Sequence, residues 1–241
     1  MRKKKKLYEG KAKILYETED SNYLIQEFKD DASAFNGVKK GKIANKGYVN
    51  NQVSAHLFRY LNSYYVPNHF VDLHSDRAMV VRRLQMFPIE VVVRNIAAGS
   101  LLKRSKYKEG EVLPKPLVEF FLKDDAKGDP QITEDDILKD ELASKEELEY
   151  IKRMALKINA VLKSFFERRG IKLVDFKLEF GKDKDGKILL ADEISPDTCR
   201  FWDVQSGEKL DKDRFRFDLG NVEEAYEEIR RRVFLEEVVT E

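Results

Sequence analysis

The chain has 241 residues, enough to bury a sizeable core as one large domain or as two lobes. Charged residues make up 37% of it, yet 45 basic and 44 acidic side chains nearly cancel, so no global field points to nucleic acid or to a membrane surface. A single cysteine, Cys199, excludes an internal disulfide, no apolar run approaches membrane-spanning length, and the opening MRKKKK lacks the apolar run of a signal peptide; the expected setting is the cytoplasm.

Residues 7–16 (LYEGKAKILY) and 22–28 (NYLIQEF) read as two strands of a hairpin around the polar turn 18–21. Gly10 interrupts the first strand, a place that often marks close backbone approach. Lys11 and Lys13 flank the small Ala12 and share a face, which suits a lid over phosphates and equally a bulge with two solvated lysines. Residues 29–46 read as a loop, with Asn36-Gly37 and Gly41 as turn signals and with Lys39, Lys40, Lys42 and Lys46 as a local basic cluster. Gly41-Lys42-Ile43 lacks the spacing and hydroxyl of a P-loop, so the cluster either approaches a polyanionic substrate or is plainly solvated. Residues 48–61 form an amphipathic helix, and His56, His69 and His74 match no zinc spacing.

Residues 78–84 and 89–93 are two further strands, and Pro88 predicts a short connector between them rather than one continued ladder. A lobe boundary is expected there, dividing residues 1–86 from 87–241, and clefts between lobes commonly hold ligands. Arg94 ends the second run. Ser100, at the start of an expected helix over 101–106, pairs with Arg94 as a phosphate site, or else is an ordinary cap beside a surface arginine. Residues 116–123 (PLVEFFLK) read as a short helix. Thr133 with Asp136 and Ser144 with Glu147 are capping-box starts, the second opening a long helix that stops at Gly170.

The stretch 173–203 carries the chemistry. Val174, Phe176, Leu178 and Phe180 alternate with Asp175, Lys177 and Glu179, so one strand face is apolar and the other charged. Asp185-Gly186 reads as a two-residue hairpin turn, and counting outward from it sets Glu179 opposite Asp192. Two facing carboxylates repel unless a cation offsets them, and magnesium suits a site of few carboxylates completed by phosphate oxygens. Asp197 and Arg200 follow at a turn begun by Ser195-Pro196, with Phe201-Trp202 packed beneath. Residues 211–218 hold two buried-looking phenylalanines, and a helix over 222–239 closes the fold.

A lysine-flanked hairpin, a connector at Met86 and metal carboxylates are the parts of a nucleotide site, and Arg94, Ser100, Lys177 and Arg200 suit a second, anionic substrate. The combination points to ATP-dependent activation of a small acid. The segments MFPIEVVVRNIAAGS, LVDFKLEFG, YEGKAK, KGYVNNQ, FLKDDAKGDP and DEISPDTCRFWD resemble, in order and spacing, those of the phosphoribosylaminoimidazole-succinocarboxamide synthase (SAICAR synthetase) family.

The resemblance implies an α+β fold of two lobes, kinase-like or ATP-grasp-like, with antiparallel sheets, packed helices and an ATP cleft between a nucleotide-covering lobe and a catalytic lobe. It implies an ATP- and Mg²⁺-dependent ligase joining L-aspartate to the carboxylate of carboxyaminoimidazole ribonucleotide, with a homodimer expected from the resemblance. By match to the family pattern, Lys11, Ala12 and Lys13 cover the ATP phosphates, and Leu15, Leu24, Arg82 and Met86 surround the adenosine. Glu179 and Asp192 hold magnesium; Arg94, Ser100 and Arg200 take the ribonucleotide phosphate; Asp175 and Lys177, the expected catalytic pair, face the imidazole or its carboxylate. Two other readings stay open from the residues: a small-molecule kinase on a similar scaffold, and a nucleotide- or RNA-binding module using residues 2–6 and the basic loop, which leaves the carboxylates unexplained.

Overall fold

A computed structural model describes residues 1–35 and 37–235. Asn36 and residues 236–239 of the expected closing helix lie outside the described residues. The first half is built from β1 (Lys6–Glu9), β2 (Lys13–Glu17), β3 (Tyr23–Phe28), β4 (Asp31–Ala34), β5 (Lys39–Lys42), α1 (Lys46–Ser63), β6 (Phe70–Ser75) and β7 (Ala78–Arg82). Five of these strands form an antiparallel sheet in the order β1-β2-β3-β7-β6. The long first strand of the sequence reading is in fact a hairpin of its own: Tyr8 pairs with Leu15 and Glu9 with Ile14, so Gly10 sits in the tight loop and not within a ladder. The expected basic loop is likewise ordered as the β4–β5 hairpin.

The second half contains β8 (Gln85–Ile96), β9 (Val112–Leu122), β10 (Gln131–Ile132), α2 (Glu134–Lys139), α3 (Lys145–Glu167), β11 (Ile171–Lys182), β12 (Ile188–Leu190), β13 (Cys199–Asp203), α4 (Asp213–Arg216) and α5 (Val222–Phe234). Its sheet runs β10-β9-β8-β11-β12, and β13 shares the outer edge of β11 with β12. The chain changes sheet between Arg82 and Gln85; Met86 and Pro88 already belong to β8, where Met86 pairs with Gly181. Pro88 falls where the β8–β11 ladder shifts register, between the Gly181–Met86 and Glu179–Glu90 pairs, so its missing N–H is accommodated there, while its carbonyl accepts from Lys123 N at 3.0 Å.

Two further expectations are overturned. Residues 116–123 are strand, not helix: Val118 pairs with Val93 and Phe120 with Val91. Pro114 and Pro116 fall where that ladder shifts register, so neither removes a needed donor. The expected helix at 101–106 is a 3-10 turn over Gly99–Lys103. The two capping boxes form as read, with Thr133 and Ser144 each accepting from the backbone three residues on.

Helix α3 lays its apolar stripe (Leu148, Ile151, Ala155, Ile158, Leu162, Phe165) on the second sheet, and α1 packs on the first sheet and on α5. One continuous core runs through both halves, from Leu24, Phe28 and Val81 to Val91, Phe176 and Phe201. The backbone stitches the sheets together as well: His69 N donates to Leu190 O at 2.8 Å, and Leu190 N to Pro67 O at 2.9 Å. Because Ile158 is fully buried at the centre of the stripe, Ile158→Ala should cost about 2–5 kcal/mol of stability. Urea unfolding followed by circular dichroism measures it, and a loss below about 1 kcal/mol would contradict a single shared core.

Candidate active site

Strand β11 has neighbours on both edges, so its charged face can reach groups from three other strands. Beside β8 its register sets Asp175 against Arg94, Lys177 against Val92, and Glu179 against Glu90. The carboxylate facing Glu179 across a ladder is therefore Glu90. The β11–β12 hairpin closes with a three-residue loop, Asp183 N bonding Lys187 O with Gly186 at φ +78°, and Phe180 pairs with Leu190. That register sets Glu179 opposite Ala191, whose N–H it accepts at 2.9 Å, one residue short of Asp192. Asp192 itself leaves the strand in a left-handed conformation, φ +60°, which returns its side chain towards the same point.

All three carboxylates converge on Lys177. Its ammonium lies 2.6 Å from Glu179 Oε1, 3.0 Å from Glu90 Oε1 and 3.3 Å from Asp192 Oδ2. Burial alone would lower the Lys177 pKa, but the charges of Asp192, Glu179 and Glu90 outweigh it and raise it well above the ordinary lysine value. Lys13 reaches across from β2 to pair with Asp192 and, at 2.8 Å, with Glu193. Lys123, from the end of β9, pairs with the other oxygen of Glu179. Burial would raise the Asp192 carboxyl, yet Lys13, Lys177 and Lys123 hold it far below the usual carboxylate range.

Arginines occupy the other end of the row. Arg94 is buried and fully engaged: Nε to Glu119 at 2.6 Å, Nη1 to Asp175 at 2.7 Å, and Nη2 to Ser100 Oγ at 3.1 Å. Arg200 donates Nη1 to Asp175 at 2.9 Å and Nε to Asp213 at 2.8 Å. Its Nη2 lies over Gly99, where φ is +56° and a Cβ would meet that nitrogen at 2.4 Å; only glycine fits there. A β-bulge at Val174 makes this row possible. Val174 turns away from Phe176 into a small separate cluster with Ile96, Ala98 and Trp202, correcting the simple alternation expected through that residue.

These groups border one cleft of about 450 Å³. Lys11, Ala12, Lys13, Arg94, Asp175, Lys177, Glu179, Asp192 and Arg200 all line it, and Ser100 backs it through Arg94. Leu15, Leu24, Arg82 and Met86 do not line it. Leu24 is buried beside Val81, Leu15 is a diagonal neighbour of Leu24 on the same sheet, Arg82 pairs with Tyr23, and Met86 borders a smaller hollow of about 290 Å³ at the junction of the sheets. The sequence reading missed Glu90, Glu193, Lys123, Lys212 and Arg216. Glu90 was accessible, because alternation in IEVVVR places it on the face of Arg94. Lys46, expected in a basic loop, is instead wholly buried, 2.6 Å from Asp197. Of the two phenylalanines expected buried in 211–218, Phe217 is half exposed and stacks edge-on against Phe35. Cys199 lines the cleft as a thiol, its pKa pushed up by burial.

Among the described residues no three His, Cys, Asp or Glu side chains gather into a metal cage. Magnesium needs none, since one or two carboxylates and phosphate oxygens suffice. Buried Asp192 Oδ2 has no hydrogen-bond partner, and its approach to Lys177 is an ion-pair distance only, so Glu179 and Asp192 fit a hard cation.

A cleft walled by ammonium and guanidinium groups over buried carboxylates, on an ATP-grasp-like α+β fold, defines an enzyme that works on phosphorylated substrates. Comparison with known proteins agrees. Residues 6–233 match the SAICAR synthetase family. Phosphoribosylaminoimidazole-succinocarboxamide synthase of Chloroherpeton thalassium is 57% identical over 233 residues, 97% of this chain and 99% of that one. The crystal structure of the same-named protein from Ehrlichia chaffeensis superposes with a TM-score of 0.94 at 45% identity, covering 95% of this chain and 98% of that one. A SAICAR synthetase (type 2) in complex with ADP superposes at 0.93 with 48% identity, covering 97% and 99%. The chain belongs to the SAICAR synthetase family and is a ligase.

The Lys46–Asp197 pair gives a pH test. Burial would raise the Asp197 carboxyl, but the charges of Lys46 and Lys212 and the bonds from Lys46 and Tyr226 hold it well below its ordinary value. A depressed folded-state pKa contributes stability above the unfolded value, near 3.9, that is lost as pH falls below it. Between about pH 4 and pH 2 the wild-type chain should lose stability more steeply than Asp197→Asn, as read from urea midpoints; parallel slopes would exclude the pair as a source of acid sensitivity.

Proposed function

We propose that the cleft carries out the family's reaction, the ATP-dependent joining of L-aspartate to the carboxylate of carboxyaminoimidazole ribonucleotide in purine synthesis, giving SAICAR, ADP and phosphate. The observation that carries the assignment of parts is the row on β11, where Asp175, Lys177 and Glu179 face one cleft, Asp175 held by arginine, Lys177 and Glu179 paired with each other, and Glu179 also with Lys123. A carboxylate resists nucleophiles because its charge opposes attack and oxide leaves badly. In the first step a carboxylate oxygen of the ribonucleotide attacks the γ-phosphorus of ATP, the bond to the bridging oxygen breaks, and ADP leaves. In the second, the aspartate amine attacks the acyl phosphate, the C–O bond breaks, phosphate leaves and the nitrogen loses its proton.

Lys177 offsets charge on the reacting carboxylate, a contribution greatest where charge builds up. Lys11, Ala12 and Lys13 close over the ATP phosphates, and the adenosine extends out of the cleft of about 450 Å³ towards Leu15, Leu24, Arg82 and Met86, which lie outside its lining. Glu179 and Asp192 hold magnesium, which when bound offsets charge on the transferred phosphoryl group. Arg94, Ser100 and Arg200 take the ribonucleotide phosphate, and Asp175, bonded to both arginines, acts by positioning them. The ADP bound in a relative of 48% identity supports the nucleotide role. The reading also includes a cytoplasmic homodimer; among the described residues no helix is long and apolar enough to cross a membrane, and sedimentation equilibrium tests the dimer.

With Mg²⁺ and ATP, SAICAR formation should need both the ribonucleotide and L-aspartate, and oxygen isotope placed in the ribonucleotide carboxylate should appear in the released phosphate. ADP release with the ribonucleotide alone and no ligated product would favour a kinase, and no release under any combination would sink the reading. Lys177→Met should lower kcat by roughly 10²- to 10³-fold, measured by coupled ADP release, with the variant still folded by circular dichroism.

A further inference from the structure

The roles above leave one buried carboxylate of this wall without a task. Glu119 lies on β9 directly across from Val92, a diagonal neighbour of Arg94 on the face of β8 that borders the cleft, and does not line the cleft itself. Its Oε2 accepts from Arg94 Nε at 2.6 Å. Its Oε1 accepts from Arg104 Nη2 at 2.5 Å and from Gln131 Nε2 at 3.2 Å. Burial would raise the Glu119 carboxyl, but the bonds from Arg104 and Arg94 hold it below its ordinary value, so it stays charged.

These contacts join three pieces of chain. Arg94 belongs to β8, Glu119 to β9, and Arg104 directly follows the 3-10 turn Gly99–Lys103 that carries Ser100. One carboxylate therefore grips Arg94 from the side and ties down the far end of the serine's turn. The orientation of Arg94 follows from this. Nε on Glu119 and Nη1 on Asp175 fix the plane of the guanidinium, and Nη2 meets Ser100 Oγ at 3.1 Å. A guanidinium has five N–H groups, so one on each Nη is left over. Ser100, whose oxygen accepts from Arg94, keeps its own proton to donate. These remaining donors suit the oxygens of a phosphate.

The charges point the same way. From Arg104 ion pairs run to Glu119, Arg94, Asp175 and Arg200 at 2.5, 2.6, 2.7 and 2.9 Å, then through Asp213 to Arg216 at 2.8 and 2.7 Å. The chain begins and ends on a cation, four arginines against three carboxylates, so positive charge is left for an anion. Without Arg104, Glu119 would draw on Arg94 alone and spend the charge that the anion needs.

We propose that Glu119, with Arg104 as its counter-ion, is a positioning residue for the anionic substrate: it presets Arg94 and the Ser100 turn as a cradle for the phosphate. The proposal rests on the reading of Arg94, Ser100 and Arg200 as the ribonucleotide phosphate site, and names the groups that hold that site in shape. Neither Glu119 nor Arg104 lines the cleft, so both act through their neighbours.

Calorimetric binding of ribose 5-phosphate, which needs no ligation, tests it in the wild type, Arg94→Lys, Glu119→Gln, Arg104→Gln and Arg104→Lys. Glu119→Gln should weaken binding roughly 10- to 100-fold, the loss expected when a charged hydrogen-bond partner goes. Arg104→Gln should weaken it about 3- to 10-fold, and Arg104→Lys should recover most of that. Initial rates should show the same factors in KM for the ribonucleotide, with kcat and the KM values for ATP and L-aspartate within about twofold. Ribose 5-phosphate affinity unchanged in folded Glu119→Gln and Arg104→Gln, while Arg94→Lys weakens it, overturns the proposal. A rise spread equally over all three KM values does so too, because it marks a role in folding alone. No binding by the wild type, or affinity unchanged in Arg94→Lys, would instead overturn the phosphate-site reading. If Glu119→Gln does not fold, Arg104→Gln, a change at a partly exposed side chain, decides by the same comparison.

Discussion

Two glutamates, Glu90 and Glu179, face each other across adjacent strands, and without a cation between them β8 and β11 would repel at the centre of the cleft. Lys177 answers that constraint from the strand itself, two residues from Glu179 and within ion-pair distance of both glutamates and of Asp192. Buried charges are tolerable only when paired and hydrogen-bonded, so the position of each is set by the others. Lys13 and Lys123 then close the cluster from the other sheet and from β9.

The same strand carries the alternating guanidinium–carboxylate chain at its other end. Each inner member of the chain is paired on two sides, which makes the wall stiff in the sense that matters for catalysis: its cations are oriented before a substrate arrives. The bulge at Val174 and the left-handed turn at Asp192 are the two backbone irregularities that aim this row. Both lie beside the cleft, where such departures from ideal strand geometry concentrate.

Much of this was written plainly in the sequence. The capping boxes and the stripe of α3 are local, short-range signals, and alternation through 175–179 marked the charged face without help from the rest of the fold. Other features depend on partners far away in the chain. Residues 116–123 have apolar spacing that suits a helix or a strand, and only the edge of β8 decides between them. Counting from Asp185-Gly186 assumed a two-residue loop; the three-residue loop moved the register by one and exchanged Asp192 for Ala191, and a dihedral angle then brought Asp192 back. Lys46 reads as one of a basic cluster that either meets a polyanion or is solvated, and nothing local reveals that Asp197 waits for it. Leu15, Leu24, Arg82 and Met86 were placed by family resemblance alone, which carries no geometry.

The burial of Lys46 has a consequence for how the protein is made. Lys46 begins α1, its partner Asp197 lies 151 residues further along, and Asp197 is in turn bonded by Tyr226 of α5. As the chain leaves the ribosome, α1 emerges long before the segment that neutralises its first residue and the helix that covers its flank. The pair that neutralises Lys46 cannot form until Asp197 and Tyr226 have emerged, and until then the face of α1 that packs on α5 stays uncovered.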